Sequence, residues 1–191
     1  MKKLFFTMLL CVISISVSAQ EHLTFKGIPI DGSLTSFVEK LKVNGFKQDY
    51  VGSDSAIMKG DFGGNVCVIA IYATKISKKV HSIGVVVKES NSWYTLKSTY
   101  EEYKSSLTLK YGKGDSVEYF LSPYEAGDGY EMSALRRDKC IYRTKFETLK
   151  GDIMLAICDI EGGGNVILCY SDKANSELSK AEEKSLIGSD L

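Results

Sequence analysis

The stretch SWYTLKSTYEEYKSSLTLKYGKG, residues 92–114, places Trp93, Leu96, Tyr100, Tyr103, Leu107 and Tyr111 at successive spacings of 3, 4, 3, 4 and 4. Lys97, Glu101, Glu102 and Lys104 take the opposite side. This is the pattern of an amphipathic helix, and Gly112 and Gly114 end it. Before it, Gln48–Val51, Ala56–Phe62, Val66–Thr74 and His81–Lys88 are short runs rich in β-branched and aromatic residues, broken by Gly, Ser and Lys clusters. They read as four strands. Phe62-Gly63-Gly64-Asn65 joins two of them, because paired glycines adopt the positive φ angles of a two-residue hairpin turn. Further upstream, Ser33 caps a first helix over Leu34–Val43, with Leu34, Phe37, Val38 and Leu41 on one side and Asn44-Gly45 as its stop.

The pattern repeats after the central helix. Ser116–Leu121, Cys140–Leu149, Ile153–Ile160 and Val166–Ser171 read as strands, with turns at Lys150-Gly151 and Gly162-Gly163-Gly164, and Ser176–Ile187 suits a terminal helix lying on the surface. The expected fold is therefore α+β. One compact domain, residues 20–191, would hold two helix-plus-antiparallel-sheet halves, about 23–89 and 90–191, with a C-terminal helix and an internal duplication. Gly-Gly-Asn-Val occurs at 63–66 and again at 163–166, yet it joins different strand pairs in the two halves. The repeat is then one of architecture or an accident of turn chemistry.

A helix followed by four antiparallel strands, twice over, resembles the beta-lactamase inhibitory proteins, and related halves occur in small outer-membrane assembly lipoproteins. Ile28–Leu41 is similar to the opening of such a repeat. The resemblance covers the mature chain as an order of elements, matches no motif residue for residue, and so carries over no functional residue.

Lys2 and Lys3, the apolar run Leu4–Val17 and the small residues of Val17-Ser18-Ala19 form a cleavable secretory signal over residues 1–19. The apolar run falls short of the roughly 20 residues that span a bilayer, and no comparable run follows, so no membrane span is expected. Cys11 follows Leu10 rather than a small residue and sits inside the apolar run, which argues against a lipid anchor. The destination is periplasmic or extracellular. The full chain balances 24 basic against 24 acidic residues, and the leader removes two lysines and no acid, leaving a net charge of −2. Such a balance points away from nucleic acid and anionic lipid.

Four cysteines remain after cleavage: Cys67, Cys140, Cys158 and Cys169. Three pairings are open in an oxidising compartment. Cys158 and Cys169 are the candidate disulfide, although a turn at Gly162–Gly164 sets Cys158 opposite Ile167 and leaves the two cysteines diagonal. No two cysteines lie within four residues of each other and no histidine accompanies them, so no metal site is expected. No cofactor is expected either, since phosphate loops and the common nucleophile and zinc motifs are absent. Histidine is limited to His22 and His81. A carboxylate-based hydrolase would use acids such as Asp159, with or without His81; Asp159 sits with Asp61 and Glu161 beside glycine turns, where acids are common for conformational reasons.

The second half carries extra chain at Leu121–Lys139. Its Tyr124, Glu125, Asp128, Tyr130, Met132, Arg136 and Arg137 are residue types enriched at recognition surfaces. A short helix is expected at Met132–Arg137. On the central helix, Trp93, Tyr100 and Tyr103 could line a cavity between helix and sheet, although such a stripe is more often core. The expectation is an exported, non-enzymatic protein-binding module, inhibitor or immunity-like, whose partner is another protein met by sheet face and loop. A small-ligand or lipid carrier and a carboxylate hydrolase are the alternatives.

Overall fold

Glycine and proline spacing sets the N-terminal entry. In the computed structural model, which describes residues 21–190, β1 (Thr24–Phe25) and β2 (Ile28–Pro29) form a two-residue hairpin through Lys26-Gly27, whose φ angles are 50° and 79°. The expected leader lies outside the described residues. The Ser33 hydroxyl accepts the Ser36 amide and starts α1 (Leu34–Val43), whose four apolar residues are all buried. Four antiparallel strands follow as a meander: β3 (Lys47–Val51), β4 (Ser55–Phe62), β5 (Asn65–Ala73) and β6 (Val80–Ser90). Gly63 and Gly64, both at positive φ, make the β4–β5 turn.

Ser92 caps α2 (Trp93–Tyr111) through the Thr95 amide, and the second meander repeats the first. It comprises β7 (Asp115–Phe120), β8 (Cys140–Thr148), β9 (Gly151–Ile160) and β10 (Gly163–Asp172), with the short α3 (Glu131–Leu135) inside the β7–β8 connection. The expected helix at 132–137 thus begins one residue earlier and ends two earlier. β6 and β10, the last strand of each meander, pair antiparallel at the centre of one eight-stranded sheet, ordered β3-β4-β5-β6-β10-β9-β8-β7. The fold is α+β, with two helix-plus-four-strand halves sharing one sheet.

α1 and α2 lie on the same side of that sheet. α1 contacts β3, β4 and β5, whereas α2 contacts β6, β8, β9 and β10. Alternate residues such as Ile69, Ile71, Ile83, Val85, Leu155 and Leu168 point up into the core they cover. Phe25 of the N-terminal hairpin joins the same core, stacked on Phe62 and edge-on to Tyr170.

The turn after β9 corrects the expected register. Ile160 pairs with Gly163, so the turn is Glu161-Gly162 and Cys158 faces Asn165 rather than Ile167, while Cys169 faces Met154. Four positions along a strand is about 13 Å, beyond the roughly 7 Å Cα separation a disulfide tolerates. Cys158 and Cys169 are free thiols, as are Cys67 and Cys140.

α4 (Lys173–Asp190) closes the end of the sheet where β10 stops. Its buried seam is polar: Asn175, Ser179 and Glu182. The Asn175 side-chain amide donates to the Ile30 and Val80 carbonyls, and Glu182 accepts the Ile76 and Ser77 amides. Asp172, fully buried, accepts the Leu23 amide at 2.8 Å, the Asn175 amide at 3.0 Å and lies 3.1 Å from His22 Nδ1. That carboxylate caps α4 and clasps the N-terminal segment at once.

Candidate functional site

An antiparallel strand presents its residues alternately to two faces; here α1 and α2 cover one of them, and α4 borders only the polar row of the other. On β5 the helix-side Ile69 and Ile71 are fully buried, but Val68 and Tyr72, which flank them, remain 38% and 46% exposed. Strand register arranges this open face into rows. One runs Lys59, Val68, Val86, Ile167, Ala156, Arg143 from β4 to β8. The next runs Ile57, Ala70, Gly84, Cys169, Met154, Lys145, and below it comes the polar row Ser55, Tyr72, Ser82, Ser171, Asp152, Glu147.

The two upper rows are apolar from β4 or β5 across to β9, a band roughly 20 Å wide at about 4.8 Å per strand. At its middle lies a depression of about 400 Å³, with Gly84 at its floor and Val68, Tyr72, Val86 and Ile167 around it. None of these residues was singled out by sequence. A signal was nevertheless present, because Val66–Ala73 is an unbroken apolar run, which a one-side-covered antiparallel strand does not need.

The polar row borders a second concavity, of about 650 Å³, between sheet and α4, lined by His81, Lys145, Asp152, Ser171, Lys180 and Glu183 among others. Burial pulls the His81 imidazole below its ordinary value, against the opposing pull of Glu183 and Glu182. Asp159 sits at the far end of the sheet. Ser82 pairs with Ser171, whereas Asp159 pairs with Gly164, itself opposite Ser90, which separates His81 from Asp159 by nearly nine strand residues, about 30 Å. The two cannot share a reacting atom. Asp159 Oδ1 instead accepts the Gly162 amide and shapes the turn.

The aromatic stripe of α2 packs mainly into the core. Trp93 meets Phe120 and Tyr142 edge-on, with ring centres 5.3 and 4.9 Å apart. Tyr100 is fully buried, its hydroxyl 2.6 Å from the Thr144 hydroxyl and 3.0 Å from Glu118. A carboxylate only accepts, so the Tyr100 O–H donates to Glu118 and takes its other bond from Thr144. Burial pushes the Glu118 carboxyl up, but hydrogen bonds from Lys104 and Tyr100 outweigh it and hold the group below its ordinary value. Tyr103 alone of the three borders open space, a shallow groove beside Gly63 and Tyr94.

The connection at 121–139 is folded on itself. Asp128 accepts the Glu125 and Tyr130 amides, Glu131 accepts the Gly127 amide, and Arg136 reaches Asn91. Tyr124 and Met132 pack against the core, whereas Glu125, Asp128, Tyr130, Arg136 and Arg137 are exposed. Met132 and Leu96 of α2 both crowd the space beside Gly164, so this segment sits on the helix side. It does not adjoin the apolar band.

Burial pushes the Cys158 thiol up to about 11 and the Cys140 thiol up to about 12, so both stay protonated and unreactive near neutral pH. No cluster of His, Cys, Asp and Glu among the described residues is arranged to hold a metal ion, and no described helix is long and apolar enough to cross a membrane. No family model, curated protein or solved structure matches the chain.

Proposed function

We propose that the mature chain is an exported, non-enzymatic protein-binding module, of inhibitor or immunity type, that engages its partner through the open face of the eight-stranded sheet. The observation that carries this is the apolar band across β5, β6, β10 and β9 with no helix over it. Contiguous apolar surface of this kind is unfavourable in water and marks an interaction site in stable proteins. Export rests on Lys2, Lys3, the apolar run Leu4–Val17 and the small residues before Gln20. The helix-covered cavity that a carrier role needs is filled by Trp93 and Tyr100, and Asp159, the acid expected of a hydrolase, shapes a turn about 30 Å from His81.

The test is affinity capture on residues 20–191 with the periplasmic and secreted fractions of the native host, using Val86→Glu/Ile167→Glu as the matched control. A captured protein is then purified and its binding measured by calorimetry. Saturable binding lost in the folded double variant supports the reading. Equal binding by both chains, or none by either, contradicts it.

A further inference from the structure

Strand alternation would send Lys88 to the open face with Ser82, Gly84 and Val86. It does not go there. Val166 pairs with Lys88 while the next residue, Ile167, pairs with Val86, so Val87 is an extra residue that bulges β6. Lys88 thereby stands opposite the buried, helix-side Val166 and joins the groove between the end of β6, the β4–β5 turn and α2. Bulges of this kind re-aim a side chain and gather beside functional sites.

The α2 wall of that groove carries hydroxyls that no group of the chain uses. Ser106 and Thr108 donate theirs to the Glu102 and Lys104 carbonyls one turn back, a common arrangement in helices. Thr95, Ser98 and Thr99, on the groove wall, make no such bond among the described residues, and neither does the half-buried Tyr103 hydroxyl. The chain nonetheless leaves room for that hydroxyl. Gly63 opens the β4–β5 turn at a φ of 64°, and a Cβ there would lie 2.8 Å from Tyr103 Oη. The other two-residue turns place Lys26 and Glu161 at the same first position, at 50° and 54°, so the turn itself does not call for glycine.

Charge across the groove is of both signs. Lys88 on the sheet and Glu102 on the helix have no ion-pair partner among the described residues, in each other or elsewhere. An anion would meet Glu102, a cation would meet Lys88, and an apolar group would strand the hydroxyls away from water. A neutral polyol meets none of these costs, because each of its hydroxyls both donates and accepts. Tyr94, 82% exposed, and Tyr103 add aromatic surface for the C–H side of a sugar ring. The groove holds about 500 Å³, within the roughly 300–1,000 Å³ of small-ligand sites.

We infer that this groove, on the side of the sheet away from the open face, binds a neutral saccharide unit. Lys88 donates to its hydroxyls, Glu102 accepts from them, and the Tyr103 hydroxyl takes either role. The site shares no residue with the apolar band, so it stands or falls separately from the open-face reading.

The experiment is saturation-transfer difference NMR of residues 20–191 with glucose, galactose, mannose, N-acetylglucosamine, maltose and cellobiose. Alanine serves as a zwitterion that matches Lys88 and Glu102 but leaves the hydroxyls unused. At least one sugar should bind, with a Kd of about 1 mM because the groove is open on one side. Glu102→Ala should weaken that binding about tenfold and Tyr103→Phe about threefold. Both variants should keep the parent's circular dichroism, since Glu102 is exposed and phenylalanine retains the ring. The Val86→Glu/Ile167→Glu chain should bind the sugar as the parent does; loss there would move the sugar to the open face and overturn the assignment. No transfer to any sugar, transfer indifferent to both groove variants, or alanine bound in preference to every sugar would each overturn the saccharide and leave the open-face reading untouched.

Discussion

Replacing Tyr100 with phenylalanine should lower stability by about 2 kcal/mol without altering the fold. The ring stays, keeping its edge-on contact with Tyr142 at 5.9 Å, so only the hydroxyl is lost. That hydroxyl gives one hydrogen bond to a carboxylate, worth about 1.5–3 kcal/mol, and takes one from Thr144, worth about 0.5–1.5 kcal/mol. Neither partner is orphaned by its removal. Thr144 keeps Ser116 at 2.9 Å and Glu118 keeps Lys104 at 2.6 Å, which holds the loss near the low end of the sum. In a domain of this size, 2 kcal/mol corresponds to a drop of roughly 4–8 °C in Tm. Urea unfolding followed by circular dichroism gives the free energy, and a cycle with Glu118→Gln should show non-additive loss, because the two groups share one bond. An unchanged Tm would refute the buried network and return Tyr100 to the wall of a cavity. A loss above about 5 kcal/mol would show that the ring itself moves.

Asp172→Ala removes the acceptor of two buried amides and the cap of α4, and should cost about 3 kcal/mol by urea unfolding, with proteolysis near residues 21–30 accelerated. His81 is held below its ordinary 6.5 by burial, so the unfolded chain takes up its proton first. Its contribution to stability is therefore complete above pH 6.5 and declines as pH falls from there through the lower folded value; Glu118, held below its ordinary 4.5, adds a second loss as pH falls below that. His81→Gln should flatten the first decline in urea midpoints measured from pH 8 to about pH 3 and leave the second. Gly84→Ala should raise stability by about 0.5–1 kcal/mol, since it meets no neighbour; a lower midpoint would mean that the glycine serves the fold.

The two amphipathic helices and the eight strands of the large sheet were legible in the sequence, the helices by apolar spacing and the strands by β-branched and aromatic runs bounded by turn residues. α1 and α2 announce themselves by apolar spacing and by Ser33 and Ser92 as caps, and Gly63-Gly64 is a hairpin signal that admits one register. The turns at Lys26-Gly27 and Glu161-Gly162 use a non-glycine at positive φ in the first position, 50° and 54°, so composition does not mark them. Three consecutive glycines at 162–164 left the second of these one residue adrift, and with it the placement of Cys158. β1 and β2 are two residues long, too short for any period to show. α4 hides its docking face, because the residues it buries are Asn175, Ser179 and Glu182 rather than apolar ones. The candidate site was missed for a related reason. A strand apolar on both faces reads as doubly covered, and only the three-dimensional arrangement shows that one side of β5, β6, β10 and β9 has no cover.

The most direct test of the central claim is a hydroxyl-radical footprint of the complex between residues 20–191 and the captured partner. Tyr72, Met154, Ile167 and Cys169 should be protected from modification, while Tyr94 on α2 and Tyr130 in the 121–139 connection react as they do in the free chain. Protection of Tyr130 or Tyr94 with the four sheet residues unchanged would contradict the account.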